Sequence, residues 1–185
     1  MGKVVRNLIF GIVLVVAVSM RPVSTEHEGA VKWMTFEDAV AQSEKTKKKI
    51  FIDVYTDWCG WCKVMDRNTF NDPIVAKLLN EEFYPVKFNA EQTEDVVFRG
   101  HTFKFVPSGR NGYHQLAASL LNNQLSYPTV VFLDEDFAMI TPLAGYRKAE
   151  EFHKYLTWVS DEHYKKGQNG WSEFEKSYKS PYLNN

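Results

Sequence analysis

The fold is decided by the stretch Phe51-Ile52-Asp53-Val54-Tyr55-Thr56-Asp57-Trp58-Cys59-Gly60-Trp61-Cys62-Lys63. Its first half is a short run of apolar, branched and aromatic residues, which is typical of a strand buried on both faces. Cysteines follow at once, and the apolar spacing from Cys59 to Met65 is helical. The sequence therefore predicts a buried strand over residues 50–55 that turns directly into a helix at the first cysteine.

The position of the two cysteines indicates redox chemistry. Cys59 falls at the N-terminal end of the predicted helix, where unpaired backbone N–H groups and the helix dipole stabilise a thiolate. Cys62 lies about one turn deeper, within reach of a mixed disulfide formed on Cys59. We therefore predict that Cys59 is the attacking thiol and that Cys62 resolves the mixed disulfide.

A purely structural role for this pair is disfavoured. By the loop-entropy relation, a disulfide that closes four residues contributes roughly 2 kcal/mol, whereas one that closes 100 residues contributes about 4.7 kcal/mol. A structural zinc site needs four ligands, and none of the five histidines shows a ligand-like spacing with the cysteines. We expect no metal and no dissociable cofactor; the histidines are His27, His101, His114, His153 and His163.

Composition bounds the remaining classes. The chain has 185 residues, of which 44% are hydrophobic, so it can bury one sizeable core. The formal net charge is -1, and the longest basic run is Lys47-Lys48-Lys49. A nucleic-acid partner is not expected, because such binding requires a basic face.

The N-terminus reads as an export signal. Lys3 and Arg6 precede an apolar run over residues 8–18, and small or polar residues follow. We interpret residues 1–23 as a signal peptide, or as an uncleaved signal anchor because no Ala-x-Ala site follows, and residues 24–30 as a linker. Either interpretation places the folded part in an exported space where disulfides persist.

Further elements follow from periodicity. We predict a helix N-cap at Thr35 and a strand over residues 83–88. We also predict an insertion over residues 92–123, which contains a hairpin and a helix over 113–121. Residues 130–133 and 139–143 predict paired strands, and residues 149–159 a closing helix. A C-terminal extension over 161–185 carries an amphipathic helix near Trp171, which we expect to pack onto the domain.

The sequence resembles the thioredoxin superfamily over residues 31–160, because an apolar strand with an acid precedes Trp-Cys-Gly-x-Cys-Lys. It is most similar to secreted bacterial thioredoxin-like proteins of the thiol:disulfide interchange type, on the stretch 125–134. The resemblance implies an α/β thioredoxin fold of three layers, α/β/α, with a central mixed sheet, an inserted hairpin and a C-terminal helical extension. Trp61 stands where thioredoxin commonly has proline, so the direction of exchange does not carry over.

The resemblance also implies roles for an acid and a lysine. Asp53 falls on the family's buried acid, which assists proton transfer at the second cysteine, and Lys87 on the lysine beside that acid. Asp53 is therefore expected to act as general base towards Cys62. The alternative is an acid that serves only as the ion-pair partner of Lys87.

The partner groove is implied in the same way. Pro128 matches the family's cis-proline, which would turn the backbone of Tyr127 towards an extended partner segment; an ordinary trans proline is the alternative. We expect Trp58 to pack under the motif and Trp61 to stand exposed beside Cys59. The candidate substrate-binding residues are Trp58, Gly60, Trp61, Tyr127, Pro128 and Gly145.

Together these observations predict a protein thiol–disulfide oxidoreductase that acts on exported proteins, in the bacterial periplasm, through Cys59 and Cys62. Its partners would be protein thiols or disulfides, and a membrane or soluble redox protein would recycle it. The alternative is a redox-inert thioredoxin-fold module for binding or chaperoning. Reduction, oxidation and isomerisation stay open at this point.

Overall fold

The computed structural model describes residues 29–109 and 111–184. The predicted signal over 1–23 lies outside them, as does most of the predicted linker. In chain order the helices and strands of the described residues are α1 (Phe36–Lys45), β1 (Lys49–Tyr55), α2 (Gly60–Met65), α3 (Pro73–Glu82), β2 (Phe83–Asn89), β3 (Val96–Phe98), β4 (His101–Phe103), β5 (Phe105–Val106), β6 (Tyr113–His114), α4 (Gln115–Leu120), β7 (Thr129–Leu133), β8 (Met139–Ala144), α5 (Ala149–Ser160) and α6 (Gly170–Ser177).

A four-stranded mixed sheet with the order β2-β1-β7-β8 forms the centre. β1 pairs in parallel with β2 and antiparallel with β7, and β7 forms a hairpin with β8. Every residue of β1 from Lys49 to Val54 is buried. The predicted buried strand is therefore confirmed, and it is one of the two inner strands.

Helices cover both faces because the side chains of β1 alternate between two cores. Ile50, Ile52 and Val54 pack with residues of α1 and α4, whereas Phe51 packs with α3 and α5. Alternation with a period of two places successive strand residues on opposite faces. The predicted three-layer α/β/α thioredoxin fold is confirmed.

Two helices begin at short polar side chains that cap them, the first of them at the predicted Thr35. The Thr35 hydroxyl accepts a hydrogen bond from the Asp38 backbone N–H at 3.1 Å, and α1 follows. Asp72 caps α3 in the same way, ahead of Pro73 at the first helical position. Between α2 and α3 the chain makes a wider, π-helical turn over Asp66–Phe70 that the sequence did not predict.

The insertion contains two small hairpins, β3 with β4 and β5 with β6. The predicted helix over 113–121 is too long, because Tyr113 and His114 form β6. His114 is fully buried, and its Nδ1 accepts a hydrogen bond from the Leu116 N–H at 3.2 Å while its Nε2 lies 3.1 Å from the Glu94 carbonyl oxygen. The imidazole thus caps α4, which can begin only after it.

The C-terminal extension packs onto the domain. Trp171 of α6 stacks on Tyr155 of α5 with ring centroids 4.7 Å apart. Lys49, on β1, forms ion pairs with Glu135 at 2.8 Å and with Glu162 at 3.4 Å, so the extension is also tied to the sheet. Over residues 29–109 and 111–184, no helix has the length and apolar character that a membrane span requires.

Candidate active site

Cys59 and Cys62 are joined by a disulfide with an S–S distance of 2.09 Å and a Cα–Cα distance of 5.3 Å. Cys59 is the N-cap of α2, and Cys62 lies in its first turn. The Cys62 backbone N–H points at the Cys59 Sγ, 3.1 Å away. The strand-to-helix position predicted for the pair is therefore the observed one.

The disulfide is nearly buried, whereas the two tryptophans of the motif are exposed. Cys59 is 4% exposed and Cys62 is 2% exposed, whereas Trp58 and Trp61 are each 61% exposed. Gly60 begins α2, and a Cβ built there would meet nothing within 4 Å. The position next to Cys59 in the chain therefore faces open space, although both cysteines are nearly buried.

The expectation that Trp58 packs under the motif is wrong. Its ring makes an edge contact with Tyr127, with centroids 5.9 Å apart, and its Nε1–H donates to Glu91 Oε1 at 2.9 Å. Asn111 Nδ2 donates to the same oxygen at 3.1 Å. An indole N–H needs an acceptor, and Glu91 supplies one at the surface.

Trp61 stands exposed, as expected. Its ring lies 5.4 Å from the ring of Tyr146, centroid to centroid. Tyr146 directly follows Gly145, whose φ of +88° lies in the left-handed region that favours glycine. The two tryptophans therefore rest on two tyrosines from different loops, Trp58 on Tyr127 and Trp61 on Tyr146.

The Tyr127–Pro128 peptide bond is cis. The Pro128 carbonyl oxygen accepts a hydrogen bond from the Gly145 N–H at 2.8 Å. Thr129, the next residue, pairs with Val54 near the end of β1 that leads to the cysteines. The register of β1 with β7 thus brings the Pro128 peptide and the disulfide to the same end of the sheet.

Asp53 is buried beneath this end, with 1% exposure. It lies opposite Lys87 in the β1–β2 pairing, and Lys87 Nζ is 2.7 Å from Asp53 Oδ2. Burial raises the pKa of Asp53 to about 6, and the attraction of Lys87 opposes this only in part. Among the residues that the structure describes, none donates a hydrogen bond to Asp53 Oδ1.

For Lys87 the ion pairs outweigh burial. Burial lowers the pKa of its ammonium, but the carboxylates of Asp53 and Asp66 outweigh burial, and the pKa lies above its ordinary value. Lys87 is 21% exposed, so it keeps part of its hydration while Asp53 does not. The pair is therefore a charged lysine beside an acid that titrates in the weakly acidic range.

One family model matches most of the chain. The family is Thioredox_DsbH, described as a protein of unknown function, DUF255, and the match covers residues 19–172. The chain belongs to the Thioredox_DsbH family.

Curated relatives of this Thioredox_DsbH chain are much longer than the matched region. It is 30% identical over 105 residues to the uncharacterized protein B0495.5 of Caenorhabditis elegans, which covers 57% of the chain and 12% of that protein. It is 38% identical over 127 residues to the thiol:disulfide interchange protein DsbD of Vibrio vulnificus, which covers 68% of the chain and 18% of that protein. The chain thus spans less than a fifth of the length of either relative.

Solved structures show the same fold. The structure titled DsbH Oxidoreductase superposes with a TM-score of 0.53 at 14% identity and covers 76% of this chain and 90% of its own. A thioredoxin-fold protein from Helicobacter pylori gives a TM-score of 0.54 at 17% identity, with 71% and 82% covered. These likenesses show the fold. The family match and the paired cysteines indicate thiol–disulfide redox chemistry in general terms.

Several residues around the disulfide of the Thioredox_DsbH protein were not predicted from the sequence. They lie just before the insertion, within it, on the π-helical turn and after Gly145, and they are Glu91, Asn111, Asp66 and Tyr146. None belongs to a motif, and the side chain of each meets its partner at the site through the tertiary fold. Over residues 29–109 and 111–184, no cluster of three potential metal ligands of the His, Cys, Asp or Glu type occurs.

Proposed function

We propose that this protein is a protein thiol–disulfide oxidoreductase that acts through a Cys59/Cys62 couple. The observation that carries the proposal is the disulfide at the N-terminus of α2, placed at the same end of the sheet as the Pro128 peptide. The Cys62 N–H that points at Cys59 Sγ can also stabilise a thiolate on that sulfur once the disulfide is open. Cys59 is accordingly the attacking residue.

In the reducing direction the chemistry has two steps. The Cys59 thiolate attacks one sulfur of a partner disulfide, a Cys59–partner bond forms, and the partner's second sulfur leaves as a thiolate. Cys62 then attacks Cys59 Sγ, the Cys59–partner bond breaks, and the partner sulfur that Cys59 had attacked leaves as a second thiolate. Two electrons pass to the partner, the protein keeps the new disulfide, and the reverse steps oxidise a partner dithiol.

Asp53 is proposed as the base that accepts the proton of the Cys62 thiol. A carboxyl whose pKa is about 6 is largely ionised at neutral pH and still basic enough to take a proton there. Its Oδ1 has no hydrogen-bond donor among the described residues, which supports a free acceptor position.

The partner is proposed to bind as an extended segment along the Tyr127–Pro128 backbone, with Trp58 and Trp61 on either side of the attacked sulfur. Pairing through the main chain does not depend on the sequence of the partner segment. The exposed indoles add apolar contacts that partner side chains of different types can make. Gly60 supports this arrangement, because nothing stands above it.

The proposed setting is an exported space, the bacterial periplasm, where a membrane or soluble redox protein recycles the couple. The N-terminal pattern over residues 1–23 and the relative named thiol:disulfide interchange protein support it. A structural disulfide that closes a loop of only four residues would contribute little stability, which also favours a couple that opens and closes.

Insulin reduction with dithiothreitol tests the proposal. The wild-type protein is expected to accelerate the reaction, Cys59→Ser to abolish the acceleration, and Cys62→Ser to accumulate a mixed disulfide on Cys59. A wild-type rate equal to the uncatalysed background, or full activity in Cys59→Ser, would instead support the redox-inert binding module. The reduction potential then gives the direction, near -270 mV for a reductant and near -120 mV for an oxidant.

A further inference from the structure

Lys87 holds two carboxylates at once. Its Nζ lies 2.7 Å from Asp53 Oδ2 and also forms an ion pair with Asp66 Oδ1. Aromatic rings surround the ammonium, with centroids 4.9 to 5.3 Å away, and belong to Trp33, Tyr55 and Phe70. The ammonium is therefore shared between two carboxylates inside a surround of aromatic rings.

Asp66 reaches Lys87 because of where α2 ends. The backbone N–H of Asp66 bonds to the carbonyl oxygens of Cys62 and Lys63, and the π-helical turn begins at this residue. Such wider turns re-aim side chains and recur at functional sites. Asp66 is thus attached by one hydrogen bond to the second cysteine and by its side chain to the partner of the buried acid.

We propose that Asp66 is a positioning residue that divides the charge of Lys87 and thereby keeps Asp53 a strong enough base to deprotonate Cys62. The inference rests on the proposed role of Asp53. No such role follows from the sequence motif, because Asp66 lies outside it and meets Lys87 only in the folded chain.

The direction of the effect follows from Coulomb's law. A lysine that paired with Asp53 alone would favour its ionised form and make it a weaker base, whereas a second carboxylate on the same ammonium offsets that attraction. The Asp66 carboxylate raises the pKa of Asp53, in agreement with this geometry. Asp66 is 41% exposed, so solvent weakens its influence without removing it.

Other ionisable groups face Lys87 from the elements around it. The Tyr55 phenol lies on β1, with its ring centroid 5.1 Å from Lys87 Nζ. A cavity of about 400 Å³ beside Lys87 is lined by three acids from α1 and the insertion, Glu37, Glu94 and Asp95. Of all the acids named around Lys87, Asp53 and Asp66 are the two that form an ion pair with it.

In the step concerned, the Cys62 S–H bond breaks and its proton goes to Asp53. The electron pair on the Cys62 sulfur forms the bond to Cys59 Sγ, and the electron pair of the Cys59–partner bond leaves with the partner sulfur. The proton on Asp53 is later lost to solvent. No further oxidant or reductant is required, because the partner disulfide supplies the oxidising equivalents.

The test is the pH profile of Asp66→Asn. Two quantities are followed, the rate of insulin reduction and the ¹³C chemical shift of the Asp53 carboxyl in the dithiol protein. In the variant, the titration midpoint of Asp53 is expected to fall by about 0.5 to 1 pH unit. The pH at which the rate of insulin reduction declines on the acid side is expected to fall by the same amount. The rate at neutral pH is expected to drop about two- to five-fold.

Two matched variants separate charge from structure. Asp66→Glu keeps the carboxylate and is expected to restore the wild-type midpoint. Asp136→Asn removes the carboxylate of another lysine ion pair, the one with Lys47 at 3.0 Å, and is expected to change neither quantity. If Asp66→Asn does not fold, Asp66→Ser replaces it with the same expected shift.

An Asp53 midpoint that stays at the wild-type value in Asp66→Asn, or that moves equally in Asp136→Asn, overturns the proposal. Failure of the proposed function gives a different result, because the wild-type protein would then show no insulin reduction at any pH. In that case the carboxyl titration still decides whether Asp66 acts on Asp53.

Discussion

Replacing Asp53 by asparagine is expected to stabilise the protein at neutral pH and to leave its stability at pH 4 unchanged. The carboxyl is buried to 1% exposure, and burial raises its pKa from 3.8 to about 6 despite the nearby Lys87. Because the native state holds this proton more tightly than the unfolded chain does, stability falls as the pH rises from about 4 to about 6 and stays low above that.

The magnitude follows from the same values. A difference of about 2 pKa units corresponds to about 3 kcal/mol of unfolding free energy, since one unit is about 1.4 kcal/mol. Asparagine has the shape of the protonated acid and carries no charge, so it removes the penalty at pH 7. With a urea m value of about 2 kcal/mol/M, the unfolding midpoint should rise by about 1.5 M at pH 7.

The assay is urea unfolding of the disulfide form, followed by circular dichroism at pH 4, 5, 6 and 7.5. Asp57→Asn, which changes an exposed aspartate four residues along the chain, is the control and should behave as wild type at each pH. Equal stabilisation by Asp53→Asn at pH 4 and pH 7.5 would refute the reasoning, as would a loss of stability at pH 7.5. Either result would mean that packing or lost pairing, and not the buried charge, governs this position.

Two further outcomes test the surroundings of the site. Trp58→Phe keeps the ring contact with Tyr127 but loses the N–H that donates to Glu91. The KM for insulin should rise about three- to ten-fold, while the rate with a small dithiol stays unchanged. Equal effects on both substrates would contradict a role of Trp58 in partner contact. Lys49→Met leaves Glu135 without its ammonium partner and should lower the unfolding free energy by about 1–2 kcal/mol, measured in urea at pH 7; an unchanged midpoint would show that the ion pair contributes nothing net.

Local signals explain what the sequence could predict. The run of apolar residues in β1 identifies a strand with two covered faces, and the hydroxyl of Thr35 satisfies helix N–H groups that are adjacent in the chain. The strand-to-helix turn at Cys59 follows from the same kind of pattern. These predictions need only neighbours in sequence, and the structure agrees with each.

Features that depend on distant residues were missed. The surface position of Trp58 depends on Glu91, whose carboxylate reaches it only in the folded protein. The helix predicted from residue 113 begins only after His114, because the buried imidazole caps its N-terminus, and histidine is not among the usual N-cap residues. The ion pair of Asp66 with Lys87 joins two elements whose contact no periodicity reveals.

Because β1 and β7 are far apart in the chain, the surroundings of Asp53 and of the cysteines are expected to form late in folding. Ile52 pairs with Val131 across a long stretch of chain, and a slip by one residue would move Asp53 to the opposite face of the sheet, away from its present surroundings. Pairings between distant segments are closed slowly, because loop entropy opposes them until many contacts form. Recovery of thiol exchange after dilution from denaturant therefore reports on completion of the central sheet, and a chain collapsed around its helices alone is expected to lack it.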